Sequence, residues 1–226
     1  SEGVNASDVF EDSDIEDTVL GEALDTWLQA WASWSSDATS TVFPNLPYFM
    51  FQVFNCYVET RLAAARAELL KSEQEDSNWN SPGEALKAKQ DLKNPVIIEQ
   101  LTSATAIARM SPRASIELLR VSLANIVKPL RECIEQGNSS QDSWLKVEEL
   151  HWMLMILGHF LCHVSHGELA SLPIAINRLC HSYDEQGEAN QVVALNNQIL
   201  EIIDLENLAL ENASRNGNLI WSPLLA

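Results

Sequence analysis

The chain has 226 residues, 46% of them hydrophobic, and a formal net charge of −18 at pH 7. Glycine and proline, eight of each, are scarce enough to favour a helical class over a β-sandwich or barrel. The longest nearly unbroken apolar run, 152–162, is about half the ~20 residues that a membrane span needs. A field of this sign repels phosphate backbones and anionic membranes and attracts basic protein surfaces, so we expect neither nucleic acid nor membrane as a partner.

The first part of the chain predicts a tail and then a helix pair. Residues 1–14 are acidic and polar, which predicts a disordered tail. Apolar residues in 16–34 follow the 3,4 spacing of an amphipathic helix, and Pro47 suits the first turn of a second helix to about Lys71. The connection is short, so we predict an antiparallel pair over 15–71.

Two further helix pairs follow with polar insertions between them. Residues 72–94 are weakly periodic and predict a flexible insertion, and the second pair covers 95–136. Ser111 is the expected N-cap of its second helix, Pro112 fits the first helical position, and Pro129 is expected to kink that helix.

The third pair occupies 143–213 and has an internal insertion. Its expected helices are 143–164, a short one near 172–182 and a long one at about 190–213. Residues 217–226 read as the start of a further repeat. The chain is thus predicted to be all-α, an α-solenoid of HEAT-like antiparallel helix pairs taken from a longer array; a compact helical bundle is the competing architecture.

The histidines of "HWMLMILGHFLCHVSH" form the one candidate metal site. His159, Cys162, His163 and His166 follow the spacing i, i+3, i+4, i+7 along a helix. However, ligands on one straight helix diverge, and the HExxH pattern is missing. Histidines are also favourable near a helix C-terminus, so a packed helix is the preferred interpretation and no metal, cofactor or catalytic residue is predicted.

No other enzyme signature occurs. The sequence lacks GxGxxG, GxxxxGK[ST] and GxSxG, and acidic pairs such as Glu148–Glu149 are interpreted as solvated faces. Four scattered cysteines without a CxxC indicate a reduced intracellular protein with buried thiols. We therefore predict a protein that is not an enzyme.

Three strings carry a resemblance to a known family. They are "YFMFQVFNCYVETRLAAA" (48–65), "IEQLTSATAIARMSPRASIELL" (98–119) and "VEELHWMLMILGHFLCHVSHGE" (147–168), in this order. Together they resemble the middle of the exportin-4 family of karyopherin-β nuclear transport receptors. Each string is a helix fragment, so the specificity comes from the ordered set.

The resemblance implies a nuclear export receptor that binds protein cargo together with Ran-GTP and carries it through the nuclear pore. The implied partners are Ran-GTP, nucleoporins and a basic cargo such as a hypusine-bearing translation factor, and the implied localisation is shuttling between nucleus and cytoplasm. Ran contacts in the family lie largely in N-terminal repeats, so no partner-binding residue is assigned.

Two alternatives stay open at this point. The first is a helical-repeat scaffold for protein–protein interaction unrelated to nuclear transport. The second is a metalloenzyme or metal sensor built on the histidine helix.

Overall fold

The computed structural model describes residues 44–75, 94–136, 141–162 and 171–216, together with Thr26. Within these ranges the chain forms six α-helices. In chain order they are α1 Leu46–Glu75, α2 Pro95–Ala108, α3 Pro112–Glu135, α4 Gln141–Leu161, α5 Ile174–Gln186 and α6 Gln191–Asn216. The predicted all-α, helical-repeat solenoid class is confirmed.

Helix α3 has the most neighbours among the described helices. It packs against α4 and α6 and, less extensively, against α1 and α5, while α4 also packs against α1 and α2. Near the start of α1, Phe54 stacks on Phe160 at the end of α4, with ring centroids 6.4 Å apart. These two helices are therefore antiparallel. Buried side chains from all six helices form one continuous hydrophobic core.

Polar residues at the helix starts account for several boundaries. The Asn94 side chain accepts a hydrogen bond from Val96 N at 3.0 Å, and Asn190 accepts one from Val192 N at 3.0 Å. Each amide satisfies a donor that the first helical turn would otherwise leave unpaired. At the C-terminal end of α5, Gly187 adopts a left-handed conformation with φ 65° and ends the helix.

The helix boundaries expected from the sequence agree with the structure in most places. Pro47 lies in the first turn of α1, and Ser111 with Pro112 begins α3 as predicted. The Ser111 hydroxyl makes no capping bond, because it donates instead to the carbonyl of Pro47 at 2.6 Å. Helix α1 continues to Glu75, and α5 runs to Gln186 rather than ending near 182.

Both helices of the predicted second pair, α2 and α3, pack along α4. How the chain divides into repeats stays a prediction. The acidic tail 1–14, the predicted helix 16–34 except Thr26, most of the insertion 72–94 and the segment 217–226 lie outside the described residues.

The cysteine prediction needs a correction. Cys56 is exposed on α1, and Cys133, Cys162 and Cys180 are only half-buried. The apolar periodicity that suggested buried thiols assigns a residue only to a helix face. Cys56 lies opposite the buried face of α1, and the other three cysteines are only partly covered. Among the described helices, none combines the length and apolar character needed to cross a membrane.

Candidate functional site

Two members of the histidine cluster, His159 and Cys162, are described, and they lie at the C-terminal end of α4. Cys162 N donates to the carbonyl of Gly158 at 3.0 Å, so helical hydrogen bonding continues to this residue. His159 is half-buried, and its Nδ1 lies 3.0 Å from the carbonyl of Met155, which accepts the ring N–H in that tautomer. His163 and His166 lie outside the described residues. In the part of the chain that the structure describes, no group of three or more potential ligands could hold a metal ion.

Arg109, the residue directly after α2, contacts the end of α4. Arg109 donates from Nε to the carbonyl of Phe160 at 3.1 Å and through its terminal nitrogen to the carbonyls of His159 and Cys162, the latter at 3.2 Å. These carbonyls are acceptors that a helix end leaves without intrahelical donors. Burial lowers the pKa of Arg109 from its ordinary value, and the nearby Cys162 thiol opposes this shift. The guanidinium still carries its charge, so a fixed cation lies at the end of α4 that bears His159 and Cys162.

A buried polar junction joins α1, α2 and α4. The side chains of Arg61 and Gln100 are both buried, and Arg61 donates to the Gln100 Oε1 at 2.7 Å. The Arg61 guanidinium carbon also lies 4.6 Å from the ring centroid of Trp152, within range of a cation–π interaction. Buried polar groups need such partners, so these three residues fix the relative positions of three helices.

Glu149 is the anion in a second polar contact between α1 and α4. Its side chain is 1% exposed, whereas that of its partner Arg66 is 51% exposed. The Arg66 Nε donates to Oε1 of Glu149, and Lys146 Nζ donates to Oε2 at 2.7 Å. The interpretation of Glu148–Glu149 as a solvated face is therefore wrong for Glu149. Its signal in the sequence was the helical register with Leu150, Met153 and Ile156, which places it on the inner side of α4.

His151 directly precedes Trp152, which belongs to the junction of α1, α2 and α4. Its Nε2 is buried and has no hydrogen-bond partner among the described residues, and the ring meets Trp152 edge-on at 6.2 Å between centroids. Burial lowers the pKa of His151 below its ordinary value, because the charged ring would lose hydration without gaining an acceptor.

A second set of polar contacts fastens α5 and α6 to α3. Arg113 donates to Glu188 Oε2 at 2.9 Å and to Gln186 Oε1 at 3.2 Å, and its guanidinium lies 4.7 Å from the Tyr183 ring. Burial raises the pKa of Tyr183. Further along, the Asn212 amide donates to the carbonyl of Ile134 at 3.0 Å and satisfies an acceptor at the end of α3.

These contacts can hold helices in register, but they do not form a catalytic constellation. The basic side chains at the junctions point between helices and carry their hydrogen bonds to carbonyls, carboxylates and amides of neighbouring elements. Sequence reasoning missed them because the long-range partners, such as Arg109 with the end of α4, leave no local pattern.

Comparison with known proteins gives a family. The model of the family Exportin-4 matches residues 11–226, which includes all three strings quoted above. Exportin-4 from Dictyostelium discoideum is 23% identical over 224 residues, covering 89% of this chain and 19% of that protein. This chain therefore spans about a fifth of the length of that curated relative. No solved structure matches the chain. Because the family model covers nearly all of the sequence, the chain belongs to the exportin-4 family.

Proposed function

We propose that this chain is a segment of a nuclear export receptor. The full receptor binds protein cargo together with Ran-GTP, carries it through the nuclear pore in contact with nucleoporins, and shuttles between nucleus and cytoplasm. It is a carrier and not an enzyme. The observation that carries the proposal is the match of the Exportin-4 family model to residues 11–226. An array of helix pairs also suits such a role, since it offers an extended surface to a large partner.

The charge distribution supports a basic cargo. Lys146 pairs with Glu149 on its own helix, and five described arginines bind partners on neighbouring elements: Arg61, Arg66, Arg109, Arg113 and Arg120. Many acidic residues are exposed instead: Glu59, Glu99, Glu117, Glu132, Glu135, Asp142, Asp184, Glu185, Glu188, Glu201, Asp204 and Glu211. Many basic side chains are thus used in contacts within the fold, while the exposed charged residues are mostly acidic. Such a surface raises the association rate of a positively charged partner, of which a hypusine-bearing translation factor is an example.

The decisive experiment is a pull-down with the full-length receptor. A basic cargo is presented with and without GTP-locked Ran, and we expect cargo retention to rise when Ran-GTP is present. Cargo binding that does not respond to Ran-GTP would remove the export function and leave a helical scaffold unrelated to nuclear transport.

A second measurement addresses this segment. Neutralising the exposed pair Asp184 and Glu185, as Asp184→Asn with Glu185→Gln, should weaken basic cargo about threefold at low salt and less at high salt. The matched control neutralises two exposed cations, Lys128→Gln with Arg178→Gln, and should not weaken binding. Equal losses from both variants would contradict a role for the negative surface.

A further inference from the structure

Helix α6 has a buried side and an exposed side that is also partly apolar. The buried side contains Val192, Leu195, Ile202, Leu205 and Ala209. On the exposed side, six residues follow one another at alternating steps of three and four: Val193, Asn196, Leu200, Ile203, Asn207 and Leu210. These six residues are called the outer seam below.

The outer seam has the pattern of a coiled-coil helix. Alternating steps of three and four residues are the a and d positions of a heptad, and Leu200 with Ile203 forms the central pair. The four aliphatic members are 42% to 58% exposed. Aliphatic residues that are aligned and exposed in this way mark an interaction surface more often than residues scattered singly do.

The charged residues beside the seam are acidic. Asp204 and Glu211 each follow a d residue, so they occupy e positions, at which coiled coils form ion pairs between helices. From Gln191 to Asn212 the sequence holds four acidic residues and no lysine or arginine. Charge complementarity therefore favours a partner with basic residues on either side of its own apolar seam.

The same features disfavour other occupants. A second copy of α6 would bring its acidic residues against those of the first, and an anionic membrane would be repelled as well. The backbone groups of α6 are bonded within the helix, so α6 offers no edge to which a strand could add. The partner segment has to satisfy its own backbone, and a helix does so.

We infer that the outer seam binds one helix of a partner protein, with aliphatic residues at its a and d positions and lysine or arginine at e and g. The seam from Val193 to Leu210 is about 25 Å long at 1.5 Å per residue. Two free helices of this length would be marginal, but α6 is already packed against α3, so only the partner has to be ordered. The site goes beyond the proposed export function, since it requires neither Ran-GTP nor a particular cargo.

Binding of a designed probe peptide to the full-length receptor tests the inference. The probe is a fluorescent helix of about three heptads with leucine at a and d and lysine at e and g. Its control carries glutamate at e and g and is otherwise identical. In fluorescence anisotropy without Ran-GTP, the lysine probe should bind at least about tenfold more tightly than the glutamate probe.

A first pair of variants tests the apolar contact. Leu200→Ala with Ile203→Ala should weaken binding of the lysine probe about tenfold at low and high salt alike, because apolar contact is lost. Val121→Ala, at a position of α3 that is 50% exposed, is the control and should leave binding unchanged. An unchanged thermal midpoint shows that each variant is folded.

A second pair of variants tests the charges. Asp204→Lys should weaken the lysine probe about fivefold and strengthen the glutamate probe, with the larger effect at low salt. Glu201→Lys makes the same change of charge on the same helix, at an exposed position outside the e and g positions. Its effect on both probes should be smaller.

Four results would overturn the inference. The first is equal binding of the two probes, and the second is a double variant of Leu200 and Ile203 that binds the lysine probe as well as the Val121 variant does. The third is absence of binding by the lysine probe; if the double variant then lowers the thermal midpoint, the receptor's own chain covers the seam. The fourth is a receptor dimer, seen by sedimentation, that the double variant dissociates, which would assign the seam to a second copy.

Discussion

The Nε of Arg109 donates a hydrogen bond to the carbonyl of Phe160 at 3.1 Å, so the end of α2 closes the end of α4. The two residues are far apart in sequence, and the same guanidinium also reaches the carbonyls of His159 and Cys162. A planar group with five N–H donors can serve several carbonyls at once. The histidine-bearing end of α4 is thus held by a neighbouring helix.

Replacing Arg109 should destabilise the fold. Arg109→Met removes three hydrogen bonds and leaves carbonyls at the end of α4 without these partners, so we expect the free energy of unfolding to fall by about 2 kcal/mol. Arg109→Lys should recover only part of this loss, because an ammonium lacks the planar fork. Urea denaturation of the purified chain measures both.

The control is Arg178→Met, on the exposed side of α5, which should change the free energy of unfolding by no more than about 0.5 kcal/mol. If Arg109→Met were as mild as this control, the contacts of Arg109 would not stabilise the end of α4.

Glu149 should be sensitive to loss of its charge alone. Glu149→Gln keeps the shape of the buried side chain, but it replaces one of the two carboxylate oxygens by an amide group and removes the charge that Arg66 and Lys146 share. We expect the free energy of unfolding to fall by about 2 kcal/mol, measured by urea denaturation. The exposed Glu201→Gln is the matched control and should lie within about 0.5 kcal/mol of the unmodified chain. Comparable effects at both positions would mean that the ion pairs of Glu149 stabilise the fold no more than an exposed surface charge does.

The sequence predicted helix positions well and side-chain partners poorly. Apolar spacing of three and four residues is a local property, and it placed α2, α3, α4 and α6 correctly within a few residues. Pro112 favours a helix start through its own backbone geometry, so its position at the start of α3 could also be predicted from the sequence. A contact between distant residues depends on which helices become neighbours in the tertiary fold. The contacts of Arg61 with Gln100 and of Arg109 with Phe160 are of this kind. Glu149 was also placed wrongly, because its charge predicted a solvent-exposed side chain while its helix face is buried against the neighbouring helices.

His151 predicts a decline of stability in mild acid. Burial lowers its pKa in the folded state below the value of about 6.5 expected for the unfolded chain. Above that value both states are neutral and the residue has no effect. As the pH falls below it, the unfolded chain binds the proton more readily, so the free energy of unfolding decreases.

The comparison of interest is between pH 7.5 and pH 5.5. His151→Phe should abolish up to about 1 kcal/mol of the pH-dependent loss, because phenylalanine retains an aromatic edge against Trp152 and cannot be protonated. A His151→Phe profile parallel to that of the unmodified chain would contradict the argument.

Metal analysis tests the remaining alternative for the histidine segment. We expect purified protein to contain much less than one equivalent of zinc, copper or iron, because Arg109 places a cation at the end of α4. EDTA should then leave the thermal midpoint unchanged. If the protein instead contained one equivalent of zinc, and His159→Gln lost both the zinc and stability, the metal-site interpretation would be supported.

Two glycines provide a paired test of the backbone. A Cβ added at Gly187 or at Gly158 would meet no atom within 4 Å, so neither substitution creates a clash. Only Gly187 has a positive φ, 65°, at the end of α5. Gly187→Ala should therefore cost about 1 kcal/mol, because a Cβ disfavours the left-handed conformation. Gly158 lies within α4, where alanine is the better helix former, and Gly158→Ala should stabilise the chain by about 0.5–1 kcal/mol. Since both variants add the same methyl group, opposite signs in urea denaturation would isolate the backbone conformation as the cause, and equal signs would contradict it.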